Sequence, residues 1–182
     1  MSLAGCCLVS SPHLDDPNFF RSVVLIIAHS SEGCMGVILN RPTHYSVRTV
    51  LEEATQKPAV HEGSLYQGGP VNGPLMALHS VSILSDCECQ PGVYFTSNRS
   101  HLFKLAQLTD ISLRLFDGYS GWGANQLEQE MEQGGWLLCR LDAEAIFGPD
   151  ELLWETCLRR IGNDILSSNI PRLRLPEDPS HN

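Results

Sequence analysis

The fold is decided by one stretch of the sequence, Phe116-Asp117-Gly118-Tyr119-Ser120-Gly121-Trp122-Gly123-Ala124-Asn125-Gln126-Leu127-Glu128. Before it, residues 111–115 alternate between apolar and polar side chains, which is the period of a strand with one buried face. After the glycines, Ala124, Leu127 and Met131 recur at the spacing of a helix face. The glycines predict a tight turn between strand and helix, because glycine tolerates backbone dihedrals that other residues avoid.

The predicted turn carries two large aromatic side chains, Tyr119 and Trp122, which turns usually avoid. Either these rings close the core or they build a surface pocket. Our hypothesis is that the glycines present Trp122 at a cleft beside the strand that ends at Arg41. The free N–H groups of the helix after Gly123 and the guanidinium of Arg41 are both suited to an acidic ligand. Three acidic side chains of that helix are expected to face water: Glu128, Glu130 and Glu132.

Length and charge limit the possible classes of function. The 182 residues fit a single domain, assigned to residues 1–170, with a mobile, proline-containing tail at 171–182. The net charge of −9 repels phosphate backbones, so specific nucleic-acid binding is not expected unless basic residues converge on one face. The basic residues available for such a patch are Lys104, Arg99, Arg159, Arg160, Arg172 and Arg174. No apolar run is long enough to cross a membrane and no signal-peptide pattern opens the chain, so we predict a cytoplasmic protein.

The order of predicted elements indicates an α+β protein. Residues 23–27 are continuously apolar and rich in β-branched side chains, which predicts a central strand with both faces covered. A short link leads to a second strand at 36–40, which we expect to pair with it in antiparallel fashion. Further short strands alternate with helices, the last of which is expected to begin at Pro149 and to end at Gly162. The result is a mixed sheet flanked by three to five helices.

No complete catalytic or metal-binding motif is present in the sequence. Gly118-x-Ser120 begins a nucleophile elbow, but Trp122 replaces its last glycine and no base is placed beside the serine. The histidines lack the spacing of a metal site, so we predict neither a metal nor a cofactor. The seven cysteines, including the Cys87-x-Cys89 pair, are expected to be free thiols in a reducing cytosol. The sequence leaves two alternatives for Arg41: an ion pair with a carboxylate of the protein itself, or a contact that holds the carboxylate of a ligand.

Several ordered motifs lie within residues 4–162. They are Leu8-Val9-Ser10-Ser11-Pro12, Asp16-Pro17-Asn18-Phe19-Phe20-Arg21-Ser22-Val23, His29 with Glu32-Gly33-Cys34-Met35-Gly36-Val37-Ile38-Leu39-Asn40-Arg41-Pro42, Gln67-Gly68-Gly69-Pro70-Val71, Leu78-His79, and Gly118-Tyr119-Ser120-Gly121-Trp122-Gly123 with Gln126-Leu127-Glu128 and Glu130. With these motifs the chain resembles the YqgE/AlgH family. It departs from the family pattern at Asn125 and in the segment Cys87-Glu88-Cys89.

The resemblance implies a bacterial cytosolic protein with a strongly bent, barrel-like mixed sheet flanked by helices. It implies no reaction, because the family has no established biochemical activity; one member carries a transcriptional-regulator label. Our first interpretation is a non-enzymatic protein that binds a small acidic ligand or a protein partner and acts in regulation. The alternatives are an enzyme that uses Arg41, His79 or Ser120, and a regulator that binds DNA. The candidate ligand-binding residues are Asn40, Arg41, Gly68, Gly69, Pro70, His79, Tyr119, Ser120, Trp122 and Gly123.

Overall fold

The structure of the protein, a computed structural model, describes residues 2–169. The predicted tail at 171–182 lies outside the described residues. The strands are β1 (Cys7–Ser10), β2 (Val23–Ser30), β3 (Gly33–Ile38), β4 (Pro42–Ser46), β5 (Ser64–Gln67), β6 (Met76–His79), β7 (Cys87–Gln90), β8 (Val93–Thr96), β9 (Leu113–Asp117), β10 (Ser120–Gly123) and β11 (Trp136–Cys139). The α-helices are α1 (Val47–Thr55), α2 (Arg99–Leu105), α3 (Gln126–Glu132), α4 (Ala143–Phe147) and α5 (Leu153–Asn169), and a 3₁₀ turn spans Ser82–Leu84.

The strands form two sheets. The first sheet has the order β10-β3-β2-β1-β11 and is antiparallel throughout. The second has the order β4-β5-β9-β6-β8-β7, and in it β5 runs parallel to β9 while the other neighbours are antiparallel. One of the sheets is curled into a half barrel. The predicted α+β class, with a bent mixed sheet and three to five flanking helices, is therefore confirmed.

Three apolar clusters separate the layers of the fold. The central cluster lies between the two sheets and also receives side chains from α4 and α5. An outer cluster on the second sheet holds the buried faces of α1 and α2. The other outer cluster, on the first sheet, holds α3 and the ring of Phe19. Each sheet therefore has apolar side chains packed against both of its faces.

The strand β2 confirms the prediction of a central strand at residues 23–27. It is the third of five strands in the first sheet. Val23 and Leu25 lie in the central cluster, whereas Val24 and Ile26 lie in the outer cluster with α3, and all four are fully buried. Because successive side chains of a strand point to opposite faces, a strand covered on both sides requires an unbroken apolar run.

The prediction of a glycine-rich turn at 118–123 is wrong for most of that segment. Residues 120–123 form β10, an edge strand that pairs with β3 from Gly33 to Gly36. Ser120 and Trp122 are buried, while Gly121 and Gly123 are exposed. This is the alternation of a half-buried strand, but glycine at the outer positions carries no polar side chain that would mark the exposed face. The predicted helix follows as α3.

Two residues of the predicted elements have a different structural role from the one expected. Gly162 does not end the last helix, which continues to Asn169, and it does not take the positive φ of a C-terminal glycine cap. Arg114, expected on a solvated face, is only 6% exposed because β9 lies inside the second sheet between β5 and β6. Its guanidinium donates to the carbonyl oxygen of Leu39 at 2.6 Å and lies 4.7 Å from the centre of the Tyr66 ring.

Candidate functional site

The two glycine turns that carry half of the predicted site residues pack into each other. A Cβ atom on Gly68 would lie 2.2 Å from the carbonyl oxygen of Gly118, and one on Gly69 would lie 2.3 Å from that of Tyr119. Only glycine allows backbones to approach so closely. Ser120 is fully buried, and its hydroxyl donates to the carbonyl oxygen of Gly68 at 3.0 Å. The serine hydroxyl therefore ties the two turns together.

Trp122 lies in the outer cluster on the first sheet. It is 5% exposed, its indole stacks on Phe19 at 5.7 Å, and it meets Trp136 edge-on at 5.7 Å. The indole N–H groups of Trp122 and Trp136 both donate to Oε2 of Glu130, at 3.0 and 2.8 Å. The expectation that Glu130 faces water holds only for part of the side chain: the residue is half-buried, because two buried indole donors need an acceptor at this point of the core. The ring of Trp122 thus closes the core beneath α3.

Asn40 and Arg41 hold the segment between β1 and β2. The amide of Asn40 accepts from the backbone N–H of Val23 at 2.9 Å and donates to the carbonyl oxygen of Arg21 at 2.9 Å. The guanidinium of Arg41 donates to the carbonyl oxygens of Asn18 and Phe20, the latter at 3.2 Å. Burial lowers the pKa of Arg41 from its ordinary value. Two of its donors are thus committed to the protein's own backbone.

His79 is fully buried on β6, on the side of the second sheet that faces α2. Its Nδ1 accepts from the backbone N–H of Val81 at 3.2 Å, while Nε2 has no hydrogen-bond partner among the described residues. Burial lowers the pKa of His79 to about 4, helped by the nearby His101. The imidazole is therefore neutral at neutral pH.

The predicted candidates consequently lie in four separate places. Within residues 2–169, no hydrogen bond joins any two of Arg41, His79 and Ser120. A ligand-binding role for the predicted residues stays a prediction. Their places are the interlocked turns for Gly68, Gly69, Pro70, Tyr119 and Ser120, the outer cluster on the first sheet and its edge for Trp122 and Gly123, the link between β3 and β4 for Asn40 and Arg41, and the second sheet for His79.

A polar group not singled out in the sequence lies next to His79. The Nδ1 atom of His101, on α2, is 3.2 Å from Oγ1 of Thr96 and 3.5 Å from Oδ1 of Asp86. Burial by itself would raise the pKa of Asp86, but the hydrogen bond from the Ser97 backbone N–H, at 2.7 Å, and those of its other neighbours lower it. The carboxylate is thus charged and holds the start of α2.

A cleft of about 210 Å³ opens beside this polar group, between α1 and α2. Its walls are largely apolar and are formed by Leu51 and Ala54 of α1, Leu75 before β6, and Leu102 and Phe103 of α2. Sequence periodicity cannot show that the two helices leave a gap between them.

Polar side chains also line the cleft. Thr55 and Ser97 contribute hydroxyls, of which that of Thr55 donates to the carbonyl oxygen of Lys57 at 3.3 Å, and Arg99 contributes the positive charge. The guanidinium of Arg99 lies 5.1 Å from the centre of the Phe103 ring, which keeps it along the wall of the cleft. Apolar walls with one cation at the edge suit a ligand that has an apolar body and an anionic end.

The described part of the chain contains neither a candidate metal site nor a candidate membrane-spanning helix. Residues 2–169 contain no group of three or more His, Cys, Asp or Glu side chains placed to hold a metal ion. None of the helices described there combines the length and the apolar content that crossing a membrane requires.

Comparison with known proteins relates this fold to one family. The family model described as DUF179, AlgH-like, matches residues 7–166. A UPF0301 protein of Streptomyces avermitilis is 36% identical, and the match covers 100% of this chain and 96% of that protein. The solution structure of the AlgH protein from Pseudomonas aeruginosa matches with a TM-score of 0.73 and 25% identity, over 94% of this chain and 96% of that one. A crystal structure of a protein from Corynebacterium diphtheriae matches with a TM-score of 0.70 and 26% identity, over 86% and 85% of the two chains. The chain therefore belongs to the AlgH-like family.

Proposed function

We propose that the protein is a non-enzymatic binding protein that takes a small ligand with an apolar body and a carboxylate in the cleft between α1 and α2. The observation that carries the proposal is the apolar lining of the cleft together with the exposed cationic residue Arg99. The volume of about 210 Å³ is smaller than that of pockets for drug-sized molecules, which favours a short-chain acid.

The residues that suggested an enzyme support this proposal, because each of them is already engaged in contacts within the protein or is buried. The hydroxyl of Ser120 is buried in a bond to Gly68, and the guanidinium of Arg41 is bound to backbone carbonyls. His79 is buried, and its low pKa makes it a weak base at neutral pH. A binding role needs none of these groups to be free.

We further propose that this binding has a regulatory effect, because of the position of the cleft. The ligand contacts α1 and α2 together, so binding favours the arrangement in which the two helices are held against each other. A protein partner that contacts either helix therefore senses the ligand. The seven thiols suit a reducing cytosol. No specific nucleic-acid partner is proposed, since the basic residues Arg99 and Lys104 lie on α2 whereas Arg159 and Arg160 lie on α5.

The test is a thermal-shift and calorimetric titration with straight-chain carboxylates of four to eight carbons, each compared with the alcohol and the amine of the same length. The carboxylates are expected to raise the unfolding midpoint most and the amines least, because only the folded state offers the cleft and its cation. If no carboxylate shifts the midpoint at millimolar concentration, or if the amines bind as well, the proposal is wrong.

Two variants and a control locate the binding. Ala54→Leu fills the cleft with little loss of helix propensity, so it should abolish binding in an otherwise stable protein. Arg99→Gln should remove the preference for carboxylates over alcohols. Arg159→Gln removes an exposed cation from α5 and should leave both unchanged. Equal loss of the preference in Arg159→Gln would show a general effect of charge and contradict the assignment to Arg99.

A further inference from the structure

The strand β11 leaves one edge of the first sheet open. It is the last strand in the order β10-β3-β2-β1-β11, and in the described part of the chain only β1 pairs with it. The backbone N–H of Ser11 donates to the carbonyl oxygen of Gly135 at 2.9 Å. Because the hydrogen-bonded pairs of an antiparallel ladder recur every two residues, Leu137 and Cys139 also bond to β1. The N–H and C=O groups of Leu138 therefore point away from β1, to the outside of the sheet.

A groove lies beside this open edge. It has a volume of about 390 Å³ and runs between the end of β11 and the helix α5, with Leu138 and Ile161 among its lining residues. Leu138 is 40% exposed, and exposed apolar surface continues along α5 at Ile165 and Leu166. Outward-facing backbone groups next to an apolar groove are what a sheet edge needs to accept an extended segment as an added strand.

The helix α5 carries the chain past this groove. The indole N–H of Trp154 donates to the carbonyl oxygen of Ser10 at 2.8 Å, and Ser10 is the partner of Trp136 at the start of β11. Ile161 lies in the groove, near the end of β11. Helix and strand therefore run in the same direction. From Ile161 to Asn169 the helix extends about 12 Å further, at about 1.5 Å per residue.

Residues 170–182 continue the chain from the end of α5. After a reversal of direction at 170–171, four extended residues span about 13 Å, which is enough to bring Leu175 back to the level of Ile161. The segment Arg172-Leu173-Arg174-Leu175 alternates charged and apolar side chains, which is the period of a strand with one buried face. A proline stands on either side of this segment and limits the predicted strand to it.

We propose that residues 172–175 bind to the outer edge of β11 as a sixth, antiparallel strand of the first sheet, with Leu173 and Leu175 packed against α5. The edge is thus a docking site for an extended segment with alternating apolar side chains, and the chain supplies that segment itself. Covering the edge in this way prevents other strands from pairing with it. The expectation of a mobile tail then applies to residues 176–182 alone. The groove is separate from the cleft between α1 and α2, so this proposal does not depend on the proposed ligand.

The test is amide hydrogen exchange of the full-length protein, followed by NMR at single residues. The outward-facing amide of Leu138 should exchange about tenfold faster or more in the double variant Leu173→Ser/Leu175→Ser than in the wild type, because the segment loses the side chains that hold it in the groove. The amide of Leu137, which bonds to β1, should keep its rate and so report that the sheet is intact.

The matched control changes the other face of the same segment. Arg172→Ser/Arg174→Ser should leave the exchange of Leu138 unchanged, since these side chains point away from α5. Equal rates for Leu138 in the wild type and in the leucine variant, or equal acceleration in the two double variants, would overturn the proposal. So would protection of Leu138 that rises with protein concentration, because the added strand would then come from a second copy of the chain.

A peptide with the sequence of residues 170–182 tests the edge as a docking site. Added at millimolar concentration to Leu173→Ser/Leu175→Ser, it should slow the exchange of Leu138 again, because a segment tethered by a short linker competes at a similar effective concentration. The same peptide with serine in place of both leucines should have no effect. If the first peptide fails to slow the exchange, or if both peptides act equally, the groove does not bind this segment.

Discussion

The ring of Phe19 stacks on the indole of Trp122 with 5.7 Å between the ring centres and 21° between their planes. On either side of Phe19, the carbonyl oxygens of Asn18 and Phe20 accept hydrogen bonds from Arg41. The indole and the guanidinium, which the sequence predicted to share an acidic ligand, instead hold the same turn of the protein's own chain.

Glu130 should stabilise the outer cluster on the first sheet, because it accepts hydrogen bonds from two buried indoles, those of Trp122 and Trp136. Glu130→Ala leaves both N–H groups without their acceptor and should lower the free energy of unfolding by about 2–4 kcal/mol. Glu130→Gln keeps an oxygen that can accept both and should cost less than half as much. Urea unfolding of the two variants is the measurement. Equal losses would show that the indole hydrogen bonds do not matter.

Trp122 and Arg41 should be energetically coupled through the turn at residues 18–20. Trp122→Phe should cost about 1–2 kcal/mol through lost contacts and the lost hydrogen bond to Glu130. Arg41→Lys should cost about 1 kcal/mol, since an ammonium cannot reach both carbonyls as the planar guanidinium does. The double variant should lose less than the sum, with an interaction energy of about 0.5–1 kcal/mol, because either change already loosens the turn.

The same variants decide whether Trp122 and Arg41 stabilise the core or bind the ligand. If their role is structural, both variants lose stability, while their affinity for carboxylates stays unchanged. If Trp122→Phe and Arg41→Lys kept the free energy of unfolding but weakened carboxylate binding, the ring and the guanidinium would act on the ligand, and the structural role assigned to them would be wrong.

Ile26 should tolerate no charge. It is fully buried on β2 and packs in the cluster beneath α3. Ile26→Asp buries an unpaired carboxylate and should cost several kcal/mol, on the order of 4 or more. Ala28→Asp, at the exposed end of the same strand, is the matched control and should cost less than about 1 kcal/mol. Thermal unfolding of both proteins is the measurement, and an unchanged midpoint in Ile26→Asp would show that β2 is not central.

His79 should make stability depend on pH. Its pKa is lowered by burial to about 4 in the folded protein, below the ordinary value of 6.5, so between these values the unfolded state binds more protons. Stability is therefore complete above the unfolded pKa and is lost as pH falls toward 4, by about 3 kcal/mol in total. The neighbours His101 and Asp86 act in opposite directions on this pKa.

The variant His79→Asn isolates the contribution of this one imidazole. Asparagine can still accept from the Val81 backbone N–H but does not titrate. Denaturant unfolding measured from pH 7.5 to pH 4 should show a shallower pH dependence in the variant than in the wild type. A His101→Asn variant controls for the more accessible histidine next to it. Identical slopes in the wild type and His79→Asn would contradict the assignment.

The sequence alone determined those features that local pattern encodes. An unbroken apolar run at 23–27 predicted a strand covered on both faces, and β2 is that strand, because side chains alternate across a sheet. The spacing of Ala124, Leu127 and Met131 predicted a helix after the glycines, and α3 is that helix. The ordered motifs also led to the family.

Only the tertiary structure decided what the polar and glycine residues do. Ser120, Arg41 and Glu130 resemble functional or solvated groups in the sequence, but each meets a distant backbone or indole group that folding brings to it. The gap between α1 and α2 likewise depends on how separate elements pack. Hydrogen-bond partners and cavities are properties of contacts between residues far apart in the chain, and periodicity within one segment contains no information about them.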